Sequence, residues 1–244
     1  MRTTRVFVDL PLREGARIAL PEDAANHLVR VLRMQEGDAC VLFNGDGRDV
    51  PATLRAANKR GVEAELGAPV AVDHESPLRI ALVQGVARGE KMDWILQKAT
   101  ELGVASVFPV QSDRSEVKLE GDRATKRLAH WRSVVVSGCE QSGRARVPDV
   151  APAQSLQALV AGGLPSMRRF LLDPEAPYAI ATVPAIEGDC VLAVGPEGGW
   201  SPRDRQVLQA AGFEGLRLGP RILRTETAGI AAIAALQARF GDLG

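Results

Sequence analysis

The sequence predicts an α/β fold class: a mostly parallel sheet with helices, preceded by a small β-barrel. Three observations carry this. Residues 1–72 hold short alternating strand patterns broken by tight turns. The polar stretch VDHESP at 72–77 ends in proline and separates two different patterns, as a linker does. Beyond it, apolar strand-like runs alternate with amphipathic helical segments, the pattern of a parallel sheet. The predicted domains are therefore residues 1–72 and 78–244.

Taken in order, one helix starts near Pro21 and carries His27, Leu28, Val31 and Leu32 on an apolar spacing. The run at 40–43 is a strand, and NGDG at 44–47 is its hairpin turn, because Asn, Asp and Gly accept the positive φ such turns need. A second alternating strand at 50–56 leads through a turn at Lys59, Arg60 and Gly61 to a third at 62–66. In the second domain, strands are expected at 78–84, 105–110, 169–172, 190–195 and 215–218. Helices are expected at about 89–102 and 122–141, from Ser201, and from about Glu226. Trp94 and Leu102 are assigned to the core of the first of these helices.

Apolar residues at 45% and charged residues at 25% describe a globular chain, and no apolar run reaches membrane-spanning length. The N-terminus MRTTRVFVDL lacks the apolar stretch of a secretory signal, so a cytoplasmic protein is expected. Cys40, Cys139 and Cys190 form no CxxC pair, and His27, His74 and His130 offer no metal-ligand spacing, so neither a disulfide framework nor a metal site is expected. Thirty basic and thirty acidic residues cancel, which argues against a merely sticky RNA binder. Local basic groups stand out nonetheless, among them Arg30 with Arg33 and Arg144 with Arg146, each readable as a solvated face or as an RNA contact.

Two segments carry the chemistry. VLAVGPEGGWSPRD at 191–204 runs from a buried strand through a glycine turn into a helix, whose start is marked by Ser201, Pro202 and Asp204. Glycines at such a turn let a ligand approach backbone N–H and C=O groups. No GxGxxG follows a first strand and no P-loop occurs, which disfavours phosphate binding and leaves a flat base with a ribose compatible. LGPRILRTETA at 218–228 again joins a strand to a helix, with Thr225 as a candidate cap and Glu226 in the first turn. Capping does not require Arg221 and Arg224 around an apolar pair, so a polyanion or an anionic transition state is a second reading. The small-residue helix after Ala228 reads as a tight core or a subunit contact. KMDWILQKATELG at 91–103 is an amphipathic helix ended by glycine, with Lys91 and Lys98 on one face. Residues 137–146 are dense in polar groups, readable as surface or as the lining of a site.

GPEGGWSPRD, LGPRILRTETA, EKMDWILQKATELGV, SDRSEV and CEQSGRARVP together resemble the RsmE family, the bacterial small-subunit ribosomal RNA uridine N3-methyltransferases of the SPOUT superfamily. HLVRVLRMQEGD with its glycine-rich hairpin is similar to that family's PUA-like RNA-binding barrel. The resemblance implies a C-terminal SPOUT domain with a trefoil knot, an exception to the rule against threaded chains. It also implies a homodimer, S-adenosyl-L-methionine (SAM) as methyl donor, and N3-methyluridine in the decoding region of 16S rRNA as product. SAM is then expected against Leu172, against Gly195, Pro196, Glu197, Gly198 and Gly199, and against Leu218, Gly219, Ile222, Leu223, Thr227 and Ala228. Arg224 is the first candidate for stabilising a uracil anion. Glu226 is either a proton acceptor or orienting group, or simply a helix-start acid. Arg30, Arg33, Arg144 and Arg146 are the expected RNA contacts. Asp204 stands where the family more often has glutamate, a departure expected to touch only the helix cap. Two alternatives are a SPOUT enzyme acting on a tRNA ribose and a non-catalytic ribosome-assembly RNA binder.

Overall fold

Alternating burial along the strands of the N-terminal sheet sets the first layer of the structure. In the computed structural model, residues 3–58, 61–164, 168–186 and 188–244 are described. The predicted turn residues Lys59 and Arg60 lie outside them. Contacts divide the chain into two units, Met1–Glu75 with Cys139–Val147, and Ser76–Gly138 with Pro148–Gly244.

The first unit is built on β1 (Arg5–Phe7), β2 (Arg17–Ala19), α1 (Glu22–Asn26), β3 (Ala39–Phe43), β4 (Arg48–Asn58), β5 (Gly61–Leu66) and β6 (Val70–Ala71). Its sheet runs β1-β3-β4-β5-β2, with β6 on β4, and all its pairs are antiparallel except β1 with β3. The NGDG turn joins β3 to β4 in the register Ala39↔Thr53 to Leu42↔Val50, as a hairpin requires. Period-two alternation sends Val50, Ala52 and Leu54 of β4 and Val62, Ala64 and Leu66 of β5 into one core with Leu28 and Leu42. The helix expected from Pro21 is shorter than its apolar spacing indicates: α1 gives way to a π-helical turn at His27–Val31.

Cys139–Val147 joins this unit through Arg5, whose guanidinium stacks on Phe43 at 4.5 Å. The same group donates to both carboxylate oxygens of Asp49 at 2.6 and 3.1 Å, to the Cys139 carbonyl at 2.8 Å and to the Arg144 carbonyl at 3.2 Å. Arg144, expected to face RNA, is instead buried. It is 3% exposed, and its guanidinium donates to both Glu75 oxygens at 2.5 and 3.0 Å. A buried cation paired in this way supports the fold and has no free face for a phosphate.

The second unit holds β7 (Arg79–Gly85), α2 (Glu90–Glu101), β8 (Val104–Gln111), most of α3 (Gly121–Ser142), β9 (Asp149–Val150), β10 (Gln154–Ser155), α4 (Leu156–Ala161), β11 (Arg168–Leu172), β12 (Asp189–Val194), α5 (Pro202–Ala210), β13 (Glu214–Leu216) and α6 (Thr225–Phe240). Its sheet runs β10-β8-β7-β12-β11-β13, with β9 also on β8, and every pair is parallel. Central β7 and β12 are buried on both faces, as a parallel sheet covered by helices demands. On α2 the buried residues are Met92, Ile95, Leu96, Ala99 and Thr100. Trp94 sits about 200° round the helix from Met92 by a 3.6-residue period, and at 61% exposure it is not core, contrary to expectation. The small-residue helix α6 packs on α2 and pins its far end with Gln237, which donates to the Leu102 carbonyl at 3.1 Å and accepts from Ser76 Oγ at 2.6 Å. All three cysteines are buried and free, and burial pushes their thiols up to about 11 for Cys40 and Cys139 and about 12 for Cys190. No helix among the described residues is long and apolar enough to cross a membrane.

Candidate functional site

β12, β11 and β13 are neighbours in one parallel sheet, so their carboxyl ends lie side by side. Ligands of open α/β sheets gather at such ends. The three loops that leave them enclose a cavity of about 480 Å³, within the range of small-molecule sites. Leu172 comes from the first loop, Gly195 to Gly199 from the second, and Leu218, Gly219, Ile222 and Leu223 from the third. Ala228, Arg224 and Glu226 also line it. Thr227, expected beside them, is exposed on α6 and does not line the cavity. Arg30, Arg33, Arg144 and Arg146 all belong to the first unit. Arg30, Arg33 and Arg146 are exposed there.

Each loop is fixed by bonds its sequence calls for. Ser201 caps α5 as a full capping box: its Oγ accepts from the Asp204 N–H at 3.0 Å, and the Asp204 carboxylate accepts from the Ser201 N–H at 3.0 Å. Asp204 does more than cap. Fully buried, it also accepts from the Asp113 N–H at 3.4 Å, while Ser201 Oγ donates to the Asp113 carboxylate at 2.8 Å. The glycine turn is thereby tied to the SDRSEV segment. Arg114 of that segment donates to the Gly198 carbonyl at 2.9 Å and lines the cavity. On the other side Glu197 accepts from the Arg88 N–H at 3.1 Å and from Lys91 Nζ at 3.2 Å. Partial burial raises its pKa, but backbone N–H groups and Lys91 outweigh that, and the net value lies below the usual one. Gly85 shows why the strand beside this turn ends in glycine: a Cβ there would come within 2.5 Å of the Pro196 nitrogen and Cδ.

The third loop departs from expectation at two residues. Thr225 does not cap α6; Arg224 occupies the N-cap position, and no side chain bonds there. Thr225 is instead 6% exposed, donating to the Gly195 carbonyl at 2.5 Å and accepting from Gln84 Nε2 at 3.1 Å. Gln84 is fully buried and also donates to the Gly85 carbonyl at 2.9 Å, so one buried chain ties the third loop to the second. Ile222 is 86% exposed and does not anchor the loop; Leu223 is half-buried. Arg224 is held by its backbone, whose carbonyl accepts from Thr227 and Ala228 N–H groups at 3.0 and 2.7 Å. Its exposed guanidinium has no hydrogen-bond partner among the described residues and lines the cavity. Glu226 Oε2 is buried without a hydrogen-bond partner among the described residues. Among the described residues five cations, Lys91, Arg114, Arg205, Arg221 and Arg224, line the cavity against three carboxylates, Asp173, Glu197 and Glu226. Sequence reasoning missed Arg114, Asp173 and Gln84 as parts of this site. Asp113 and Ser115 around Arg114 form an ordinary polar turn signal, and nothing in their spacing points to a loop 84 residues away.

Comparison with known proteins decides the family. The model of the RNA methyltransferase domain matches residues 74–237, and that of the RNA methyltransferase PUA domain matches residues 20–67. The ribosomal RNA small subunit methyltransferase E of Buchnera aphidicola (subspecies Schizaphis graminum) is 32% identical, over 99% of this chain and 98% of its own length. This chain belongs to the ribosomal RNA small subunit methyltransferase E family. The Bacillus subtilis member is also 32% identical, over 95% of each chain. The Neisseria gonorrhoeae member, solved bound to S-adenosyl methionine, is 39% identical and superposes over the whole of both chains with a TM-score of 0.95. Family membership gives the two sheets their identity: a PUA domain of RNA methyltransferases in the first unit and an RNA methyltransferase domain of α/β class in the second.

Proposed function

We propose that this chain transfers a methyl group from SAM to N3 of a uridine in 16S rRNA of the small ribosomal subunit, working in the cytoplasm as a homodimer. The observation that carries it is the convergence of three loops, two of them lining it with glycine, on one cavity at the ends of β11, β12 and β13. Backbone amides and carbonyls of Gly195 to Gly199 and of Leu218 to Leu223 suit a base and ribose, and Val194, Leu172, Leu216 and Trp200 supply an apolar floor. A volume of about 480 Å³ accommodates a ligand of that class. SAM, when bound, supplies a methyl group already activated on a sulfonium.

The chain's own work is alignment and charge. Rigid loops bring donor and acceptor into line, worth several kcal/mol of barrier. Arg224, fixed by its N-cap backbone and free at its guanidinium, offers planar donors to negative charge growing on the uracil ring. Glu226, whose Oε2 lacks a partner among the described residues, is the group to accept or orient the N3 proton. Arg30, Arg33 and Arg146 are the RNA contacts in this reading. The small-residue helix α6 supports the dimer.

The test is incubation with labelled SAM and unmodified small subunits, followed by nucleoside mass spectrometry. N3-methyluridine is expected; a 2′-O-methylated nucleoside, or no transfer with SAM bound, would overturn it. Light scattering at micromolar concentration should give the dimer mass.

A further inference from the structure

Outside the cavity, the described backbone takes an uncommon conformation at Arg33. It is the one non-glycine residue among those described with positive φ, at 57°. The chain arrives there from the π-helical turn His27–Val31, closed by the Leu32 N–H on the His27 carbonyl and the Met34 N–H on the Leu28 carbonyl, both at 3.0 Å. A residue left-handed at the end of a helical turn is ordinarily glycine, because a Cβ disfavours that conformation. Keeping arginine there costs stability, and sites that keep such strain are enriched in function.

What the turn presents is consistent with one kind of partner. Leu28 is fully buried and Met34 packs on the same core, so the ends of the turn are anchored. Between them Arg30, Val31, Leu32 and Arg33 are all exposed, Val31 at 67% and Leu32 at 41%. Neither guanidinium has a hydrogen-bond or ion-pair partner among the described residues, and from His27 to Met34 there is no carboxylate. Two adjacent aliphatic side chains held in water between two unpaired cations match a polyanion that also exposes apolar faces. Single-stranded or looped RNA does this, since its unstacked bases stand beside its phosphates. In duplex DNA, aliphatic side chains such as Leu and Ile are known to pack against base faces by wedging between base steps.

We infer that Arg30 to Arg33 form an RNA-docking tip, in which Val31 and Leu32 cover an unstacked base of the rRNA while Arg30 and Arg33 take the flanking phosphates. This rests on the rRNA reading above and adds to it the mode of contact.

The test compares the full-length parent with Arg33→Gly and with the double variant Val31→Ser, Leu32→Ser. Each is titrated against unmodified small ribosomal subunits from 50 to about 300 mM salt, a range over which phosphate contacts lose most of their strength. Arg33→Gly should melt at a higher temperature than the parent, because strain is removed, yet bind about tenfold more weakly. Its log–log salt slope should be flatter by about 0.7 to 0.9, the share of one phosphate. The double variant should lose affinity about tenfold with the salt slope and melting temperature unchanged. Opposite movement of stability and affinity in Arg33→Gly is a result that a merely structural arginine cannot produce. Parental affinity and slope in both variants would overturn the tip while leaving the methyltransferase reading intact. A parent that does not bind the subunit would overturn both. Variants that bind subunits like the parent but lose dimer mass in light scattering would assign the tip to a second copy of the chain and overturn the RNA assignment.

Discussion

Replacing Thr225 with valine keeps the shape of the side chain and removes its hydroxyl, so it isolates the bond between the two cavity loops. In the parent that hydroxyl donates to the Gly195 carbonyl at 2.5 Å and accepts from Gln84 Nε2 at 3.1 Å. After the change Gln84 keeps its bond to the Gly85 carbonyl, so only one of its N–H groups is stranded. Gly195 is a half-buried residue, so its carbonyl regains part of its loss from water. Two partial losses, each toward the lower end of the 1–3 kcal/mol scale for an unsatisfied group, come to about 2 kcal/mol. For a domain of this size that lowers Tm by about 4–8 °C. Gly195 lines the cavity, so SAM affinity by calorimetry should also fall, by about tenfold. Thr225→Ser keeps the hydroxyl and should restore most of the affinity, though not the packing of the lost methyl. A valine variant with parental Tm and parental SAM affinity would refute the link.

Arg224→Ala should keep SAM affinity and lose about 10² to 10³ in single-turnover rate at saturating RNA, with lysine restoring only part; a rate within about twofold of the parent would exclude a transition-state role. Glu197 has a folded pKa below its unfolded one, so its stabilising contribution is present above the ordinary value of about 4.3 and is lost as pH falls through the folded value. The stability advantage of the parent over Glu197→Gln in urea should therefore hold at neutral pH and vanish in the acid range, and a pH-independent gap would contradict this. Arg144→Ala should destabilise the first unit by about 2–3 kcal/mol, because Glu75 loses its buried partner, whereas the exposed Arg146→Ala should cost under about 0.5 kcal/mol. Equal melting temperatures for the two variants would return Arg144 to the surface set.

The cavity was legible because its loops are written in local chemistry. Gly195 to Gly199 before Ser201-Pro202 announce a backbone-lined turn and a capped helix within a dozen residues, and the structure forms that cap. Thr225 shows where local chemistry misleads. The same hydroxyl that reads as a cap is drawn inward by Gln84, 141 residues away. Trp94 misleads for a different reason: an aromatic type suggests core, but its phase on α2 sets it apart from Met92, Ile95 and Ala99, which mark the buried face. Arg144 was beyond reach, since a buried ion pair and a solvated cluster differ only in where a distant Glu75 lies. The short β9, β10 and α4 are not legible in the sequence; two-residue strands carry too little alternation to register as a pattern.

The three buried thiols have a practical consequence. Thiolate, not thiol, attacks alkylating and oxidising reagents, and with pKa values near 11 to 12 the native chain holds almost none at neutral pH. Labelling must then wait for each cysteine to become exposed by local opening. Cys40 and Cys139 lie in the first unit and Cys190 in the middle of the second unit's sheet, on β12. The chain thus carries its own clocks, and the times at which these sulfurs take up a label read separately how often the first unit and the cavity-bearing unit open.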